Sequence, residues 1–163
     1  LYTLQYFQNE HRYEYLCSSS RGHSVPIIDG KEQLAGWKRR GDLTKNADGT
    51  ISVEISGAYE IEDLESFKRD VSFDEEGVTL TDSFNIDSGR VVERFVSIIK
   101  PEINDDYIKV GNVKLMFDSK LCKAELSTRE YVKPRPDSVA ETVYLTDLIL
   151  VSGLNSISFE FVL

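Results

Sequence analysis

Apolar and polar residues alternate with a period of two along much of this chain, the pattern of strands with one face buried. The pattern is clearest where Phe67, Arg69, Val71 and Phe73 alternate with Lys68, Asp70 and Ser72. After Asp74-Glu75-Glu76-Gly77 it resumes at Val78, Leu80, Asp82 and Phe84. Two such runs around a turn-forming tetrapeptide predict a β-hairpin, with Gly77 expected to take a positive φ at the end of the turn. Further strands are predicted from Tyr13 to Cys17, Val25 to Ile28, Thr50 to Ile55, Val91 to Ile99, Tyr107 to Val110, Val113 to Phe117, Thr142 to Leu150 and Ile157 to Val162. Asp48-Gly49 and Gly111-Asn112 read as hairpin turns.

Strands of this number and spacing predict an all-β fold, a sandwich of two antiparallel sheets with ten or more strands and little helix. The stretch from Tyr59 to Glu65 alone has a helical or irregular acidic character, and Lys133-Pro134-Arg135-Pro136 marks a loop because proline donates nothing to a ladder. No repeat or compositional break divides residues 1–163, so the chain reads as one β-sandwich domain. At that length a chain buries about two-thirds of its unfolded surface and needs no metal or disulfide in order to fold.

Composition then narrows the function. The net charge of −9 opposes nucleic-acid binding, which needs a basic face. A polyanion is expected only at a local positive spot, for which Arg21 with Lys38, Arg39 and Arg40 is the candidate, unless these are ordinary solvated charges. No apolar run approaches the ~20 residues of a membrane-spanning helix. Cys17 and Cys122 fit isolated thiols better than a disulfide framework or a metal cluster, which leaves the compartment open. A chain that starts at Leu1, without a basic leader, is expected to be a fragment or a processed form whose targeting signal lies elsewhere.

Chemistry concentrates in Ser19 to Gln33 and in Gly36-Trp37-Lys38-Arg39-Arg40, just downstream. Pro26 demotes the Val25 to Ile28 run to an edge or bulged strand, which places His23 at a sheet rim. There an imidazole can exchange protons near neutral pH, or can simply be hydrogen-bonded into a strand end. Trp37 suits stacking on a sugar face, with its basic neighbours meeting carboxylates; a tryptophan capping the core is the other reading. Asp29-Gly30 reads as a turn in which the Asp bonds its own backbone. His11 reads as a surface residue.

The run Ser20-Arg21-Gly22-His23-Ser24-Val25-Pro26-Ile27-Ile28-Asp29-Gly30-Lys31-Glu32-Gln33 resembles the Ser-x-x-His-Asn-x-x-x-x-Asp-Gly-x-x-Gln signature of the heparinase II/III-like polysaccharide lyases. Glu54-Ile55-Ser56-Gly57-Ala58-Tyr59 is similar to that family's Asp-x-x-x-Ala-Tyr segment, and Val92-Glu93-Arg94-Phe95-Val96 to its core strand. Ser24 stands where asparagine is commoner. The resemblance implies the C-terminal β-sandwich of a bacterial lyase that is periplasmic or secreted. The parent enzyme cleaves uronic-acid-containing polysaccharides by β-elimination across a cleft shared with an N-terminal helical toroid.

That reaction needs a group to offset the uronate carboxylate, a base for the C5 proton and an acid for the leaving oxygen. The family takes most of these from the toroid, which this chain lacks, so the isolated domain is expected to be inactive or nearly so. Its implied share is a catalytic His23 facing the cleft, with Arg21, Trp37, Lys38, Arg39 and Arg40 against the acidic polysaccharide. Arg21 stands where some members carry a catalytic histidine. The resemblance also implies a divalent metal, zinc or calcium, held by His23, Glu54 and Glu93. The competing readings are a stand-alone module for acidic carbohydrate and a purely architectural domain.

Overall fold

The computed structural model describes residues 3–87, 89–133 and 135–163, leaving aside the side chains of residues 9 and 10. Twelve strands are present among them: β1 (Ile27–Ile28), β2 (Asp42–Lys45), β3 (Ile51–Glu54), β4 (Leu64–Phe73), β5 (Gly77–Ile86), β6 (Val91–Ser97), β7 (Glu102–Ile103), β8 (Tyr107–Val110), β9 (Val113–Met116), β10 (Cys122–Tyr131), β11 (Glu141–Leu150) and β12 (Ser156–Val162). They form a four-stranded sheet in the order β1-β6-β11-β10 and an eight-stranded sheet in the order β2-β3-β4-β5-β12-β9-β8-β7. Every pairing is antiparallel. The sheets pack face to face as the predicted all-β sandwich.

Phase explains the core. In the β4–β5 hairpin Phe67 pairs with Phe84, and their rings stack with centroids 5.3 Å apart. Phe95 of β6 crosses to the other sheet and meets Phe159 and Phe161 of β12 edge-on, at 5.5 and 5.8 Å. Ile28, Leu148 and Phe159 are fully buried in the same cluster. Each such side chain contributes about 1.5–3 kcal/mol by leaving water.

The turns follow local chemistry. The Asp74 carboxylate accepts the N–H groups of Glu76 and Gly77, which closes the β4–β5 turn. Gly77 does not take a positive φ, contrary to the sequence expectation. A Cβ there would stand 2.1 Å from the Phe161 carbonyl oxygen, so close approach to β12 is what requires glycine. Gly49 (φ 91°) and Gly111 (φ 62°) do fill the positive-φ positions of the β2–β3 and β8–β9 turns.

The amino-terminal segment departs from expectation. Tyr13 to Cys17 is no strand: the Tyr13 carbonyl accepts from Arg21 Nη2, and the Tyr15 carbonyl from Ser18 N–H, so neither serves a ladder. Short helical turns at Leu4–Phe7, Asn9–Arg12, Leu16–Ser18 and Ser20–Gly22 lead into β1 instead. Between Tyr59 and Glu65 the backbone is irregular until Leu64 opens β4. The predicted proline loop joins β10 to β11, with its Pro134 outside the described residues.

Candidate functional site

Short-range constraints set the course of the segment around His23. Ser20–Gly22 forms a single 3-10 turn, and a Cβ on Gly22 would lie 2.3 Å from the Leu16 carbonyl oxygen, so this crossing requires glycine. The chain then extends through His23 to the buried Pro26 and to β1, which lies at the edge of the four-stranded sheet as Pro26 predicts. Asp29 (φ 51°) and Gly30 (φ 70°) reverse it, with mutual backbone hydrogen bonds between Ile28 and Lys31. Two successive positive φ values make the tight hairpin turn that suits Asp-Gly. The Asp29 carboxylate accepts from the Arg90 N–H rather than from its own turn.

The returning strand and the 3-10 turn enclose an open cleft of about 960 Å³, whose walls include Ser20, Arg21, His23, Lys31, Gln33 and Glu60. His23 is exposed in it, and its Nε2 lies 3.2 Å from the Cys17 carbonyl oxygen. A carbonyl only accepts, so Nε2 carries the proton, and Nδ1 of the neutral ring keeps its lone pair. Arg21 donates to the Tyr13 carbonyl at 3.0 Å and pairs with Glu32 at 3.3 Å. Lys31 Nζ donates to the Glu60 carbonyl, and Gln33 Nε2 to the Tyr59 hydroxyl. That hydroxyl donates in turn to the Pro26 carbonyl at 2.6 Å. Burial drives the Tyr59 pKa far above the usual phenol range, so Tyr59 is a neutral structural donor beneath the cleft.

The basic cluster is divided. Arg39 binds the Tyr59 carbonyl and the Glu60 carboxylate, which ties it to the cleft wall. Trp37 is 84% exposed, with Lys38 Nζ 5.4 Å from its ring centroid, and so does not cap the core. Lys38 and Arg40 are exposed beside it. Neither Trp37 nor Lys38 nor Arg40 lines the cleft itself. His11 is at the surface, bonded to Glu14 at 3.0 Å.

His23, Glu54 and Glu93 are not gathered into a ligand set. Glu54 Oε1 accepts the N–H groups of Ser56 and Phe67, both at 2.9 Å. Desolvation works against its charge, but these bonds outweigh it and hold the carboxyl below its ordinary pKa. Glu93 is fully buried between the sheets, with Oε2 2.6 Å from Arg69 Nη2. Among the described residues no three His, Cys, Asp or Glu side chains stand close enough to hold a metal ion. Glu54 Oε1 is taken up by two backbone N–H groups and Glu93 Oε2 by a guanidinium, so the expected zinc or calcium ligands are not assembled around His23.

The sequence reading missed a buried cluster directly behind the cleft. Arg69 of β4 forks onto its register partner Asp82 of β5, at 2.8 Å through Nε and 2.6 Å through Nη2, and also reaches Glu93 of β6. Asp82 and Glu93 are both fully buried, and Glu93 Oε1 finds no hydrogen-bond partner among the described residues. Burial, then the charge of Asp82, raises the Glu93 pKa well above the carboxylate range despite Arg69. One signal was available. Arg69, Asp82 and Glu93 share the strand phase of Phe67, Phe84 and Phe95, so alternation alone points three charged side chains inward.

No helix among the described residues is long and apolar enough to cross a membrane. No protein-family model matches the chain, and no curated protein matches it.

Proposed function

We propose that this chain is the C-terminal β-sandwich of a bacterial heparinase II/III-like polysaccharide lyase, and that its own task is to hold a uronate-bearing oligosaccharide in the cleft around His23. The observation that carries the reading is the cleft. The motif residues Ser20, Arg21, His23, Gly30, Lys31, Glu32 and Gln33 line one open cleft. Arg21 and Lys31 stand on its wall beside Glu32 and Glu60, so a uronate carboxylate would gain charge there by taking Arg21 from its pairing with Glu32. His23 meets the substrate with its Nδ1 lone pair available to take or share a proton, while Cys17 fixes the ring's other nitrogen. In this proposal the base and the acid of β-elimination come mainly from the N-terminal helical toroid, and His23 and Arg21 complete the cleft. A second reading, a stand-alone module for acidic carbohydrate, draws on the exposure of Trp37 beside Lys38, a platform for a sugar face next to a cation.

The test has two arms. Uronic-acid oligosaccharides titrated into the chain should bind, more weakly as salt screens the charges, and His23→Ala or Arg21→Ala should lower affinity about tenfold, one lost charge-assisted contact. Binding lost in Trp37→Ala but kept in His23→Ala would favour the module. The longer protein with its native N-terminal region should release unsaturated uronate that absorbs in the ultraviolet, and His23→Ala should slow it. Absence of that absorbance across several uronic polysaccharides overturns the lyase reading.

A further inference from the structure

Two arginines reach the segment that carries His23 from opposite faces of the four-stranded sheet. Glu93 and Arg94 are neighbours on β6, so the pleat sends one side chain inward and the other outward. Inward, Glu93 and Asp82 hold Arg69, whose Nη1 donates to the Ser24 carbonyl at 3.3 Å. Outward, Arg94 forks onto its register partner Asp147 of β11, with both bonds at 2.7 Å, and its Nη1 donates to the Arg21 carbonyl at 3.4 Å. The Ser24 hydroxyl, between the two, accepts the Val96 N–H at 3.0 Å. His23 thus lies between two carbonyls, each gripped by a guanidinium that a carboxylate has already oriented.

We infer that Arg69 and Arg94 are positioning residues, which clamp the Arg21–Ser24 backbone to the sandwich and so set where His23 stands in the cleft. The clamp rests on the proposed function only for its purpose; the tethers are a property of the fold. A guanidinium suits this task because its planar fork binds a carboxylate on one edge and leaves a donor for a carbonyl on another. Both arginine side chains are mostly buried, 14% exposed for Arg69 and 15% for Arg94, so their carboxylate forks are largely shielded from water while the bonds to the two carbonyls lie at the exposed margin. Without them the segment keeps, among the described residues, its internal turn bonds, the His23 bond to the Cys17 carbonyl, the Ser24 tether to Val96 and the contacts of Arg21.

The experiment is amide hydrogen exchange at Gly22, His23 and Val25, whose N–H groups bond within the segment. Arg94→Lys keeps a cation for Asp147 but loses the fork. Arg69→Met alone strands two buried carboxylates and endangers the fold, so the companion is the neutral triple variant Arg69→Met/Asp82→Asn/Glu93→Gln. In each variant exchange at the three amides should quicken about tenfold, one charged hydrogen bond lost, with the amides of β5 and β12 unchanged. Folded variants with wild-type exchange at these amides overturn the clamp. So does exchange that quickens equally in the strands, the result of a merely structural role. Affinity for uronic oligosaccharide separates the two proposals. If the segment loosens and binding weakens, both stand; if it loosens in a chain that binds no such sugar, the clamp stands and the function proposal falls.

Discussion

Replacing Glu93 with glutamine should change how stability depends on pH, and the burial of Glu93 beside Asp82 fixes the sign. Two fully buried carboxyls share the single guanidinium of Arg69, and the fork is committed to Asp82. Burial, and next the Asp82 charge, place the Glu93 pKa well above its ordinary value, so the folded protein keeps it protonated where the unfolded chain, with a glutamate pKa near about 4.3, does not. In that window the native state binds one more proton than the unfolded state. Stability is therefore full below the unfolded value and falls as pH rises, by about 1.4 kcal/mol per pH unit, until the raised pKa is reached. Glutamine has the shape of the protonated acid and does not titrate. The stability of Glu93→Gln minus that of the wild type should thus grow as the pH is raised from about 5 towards 7. Glu54 and Asp70 run the opposite way, since their lowered pKa values give stability that is lost as pH falls, but they are common to both proteins and cancel in the difference. Urea unfolding followed by far-ultraviolet circular dichroism measures it; Trp37 is too exposed for its fluorescence to report on the core. A difference that stays flat over that range means that Glu93 is ionised in the folded protein, and the argument fails.

Three further outcomes follow from packing and burial. Phe67→Ala should cost about 3–5 kcal/mol, because the ring is fully buried against Phe84, and a loss under about 1 kcal/mol in the same unfolding assay would contradict the packing. Gly77→Ala should destabilise by about 1–3 kcal/mol through the Phe161 carbonyl, and a neutral result would show that the β5–β12 contact gives way easily. Burial, with the charge of Asp118, pushes the Cys122 thiol up to about 11, so a thiol reagent should label Cys17 alone in the native protein and both cysteines after unfolding. Native labelling of both would contradict the burial.

Strands with one dry face were legible in the sequence, and strands without one were not. The β4–β5 hairpin could be read because Phe67, Val71, Leu80 and Phe84 alternate with polar residues around a turn whose aspartate closes it. The ten-residue β10 went unread. It is the edge of its sheet and is exposed along most of its length, so Lys123, Glu125, Arg129 and Glu130 blunt it against further pairing and erase the alternation. β2 is exposed at all four positions and left no trace either. The amino-terminal turns are three or four residues long, shorter than one helical period can register. There the tyrosines at 13 and 15 imitate a strand that has no neighbour to pair with.

The cleft was legible because its residues are contiguous; the apparatus behind it was not, because it is distributed over β4, β5, β6 and β11. Reading Arg69 and Asp82 simply as members of an alternating pattern concealed a contradiction, since each put an ionisable group at a core position. The register resolves it by setting Arg69 opposite Asp82, and the sandwich adds Glu93 from the other sheet. One cation against two carboxyls leaves a charge that burial does not tolerate, so one carboxyl retains its proton. This arrangement adds little stability compared with an apolar core of the same volume. Its consequence is directional. A Phe–Leu contact tolerates sliding, whereas a guanidinium gripped on one edge can present its remaining donor to one carbonyl only, and here that carbonyl belongs to Ser24, next to His23. A charged interior in this sandwich is accounted for by the precision it gives to the cleft.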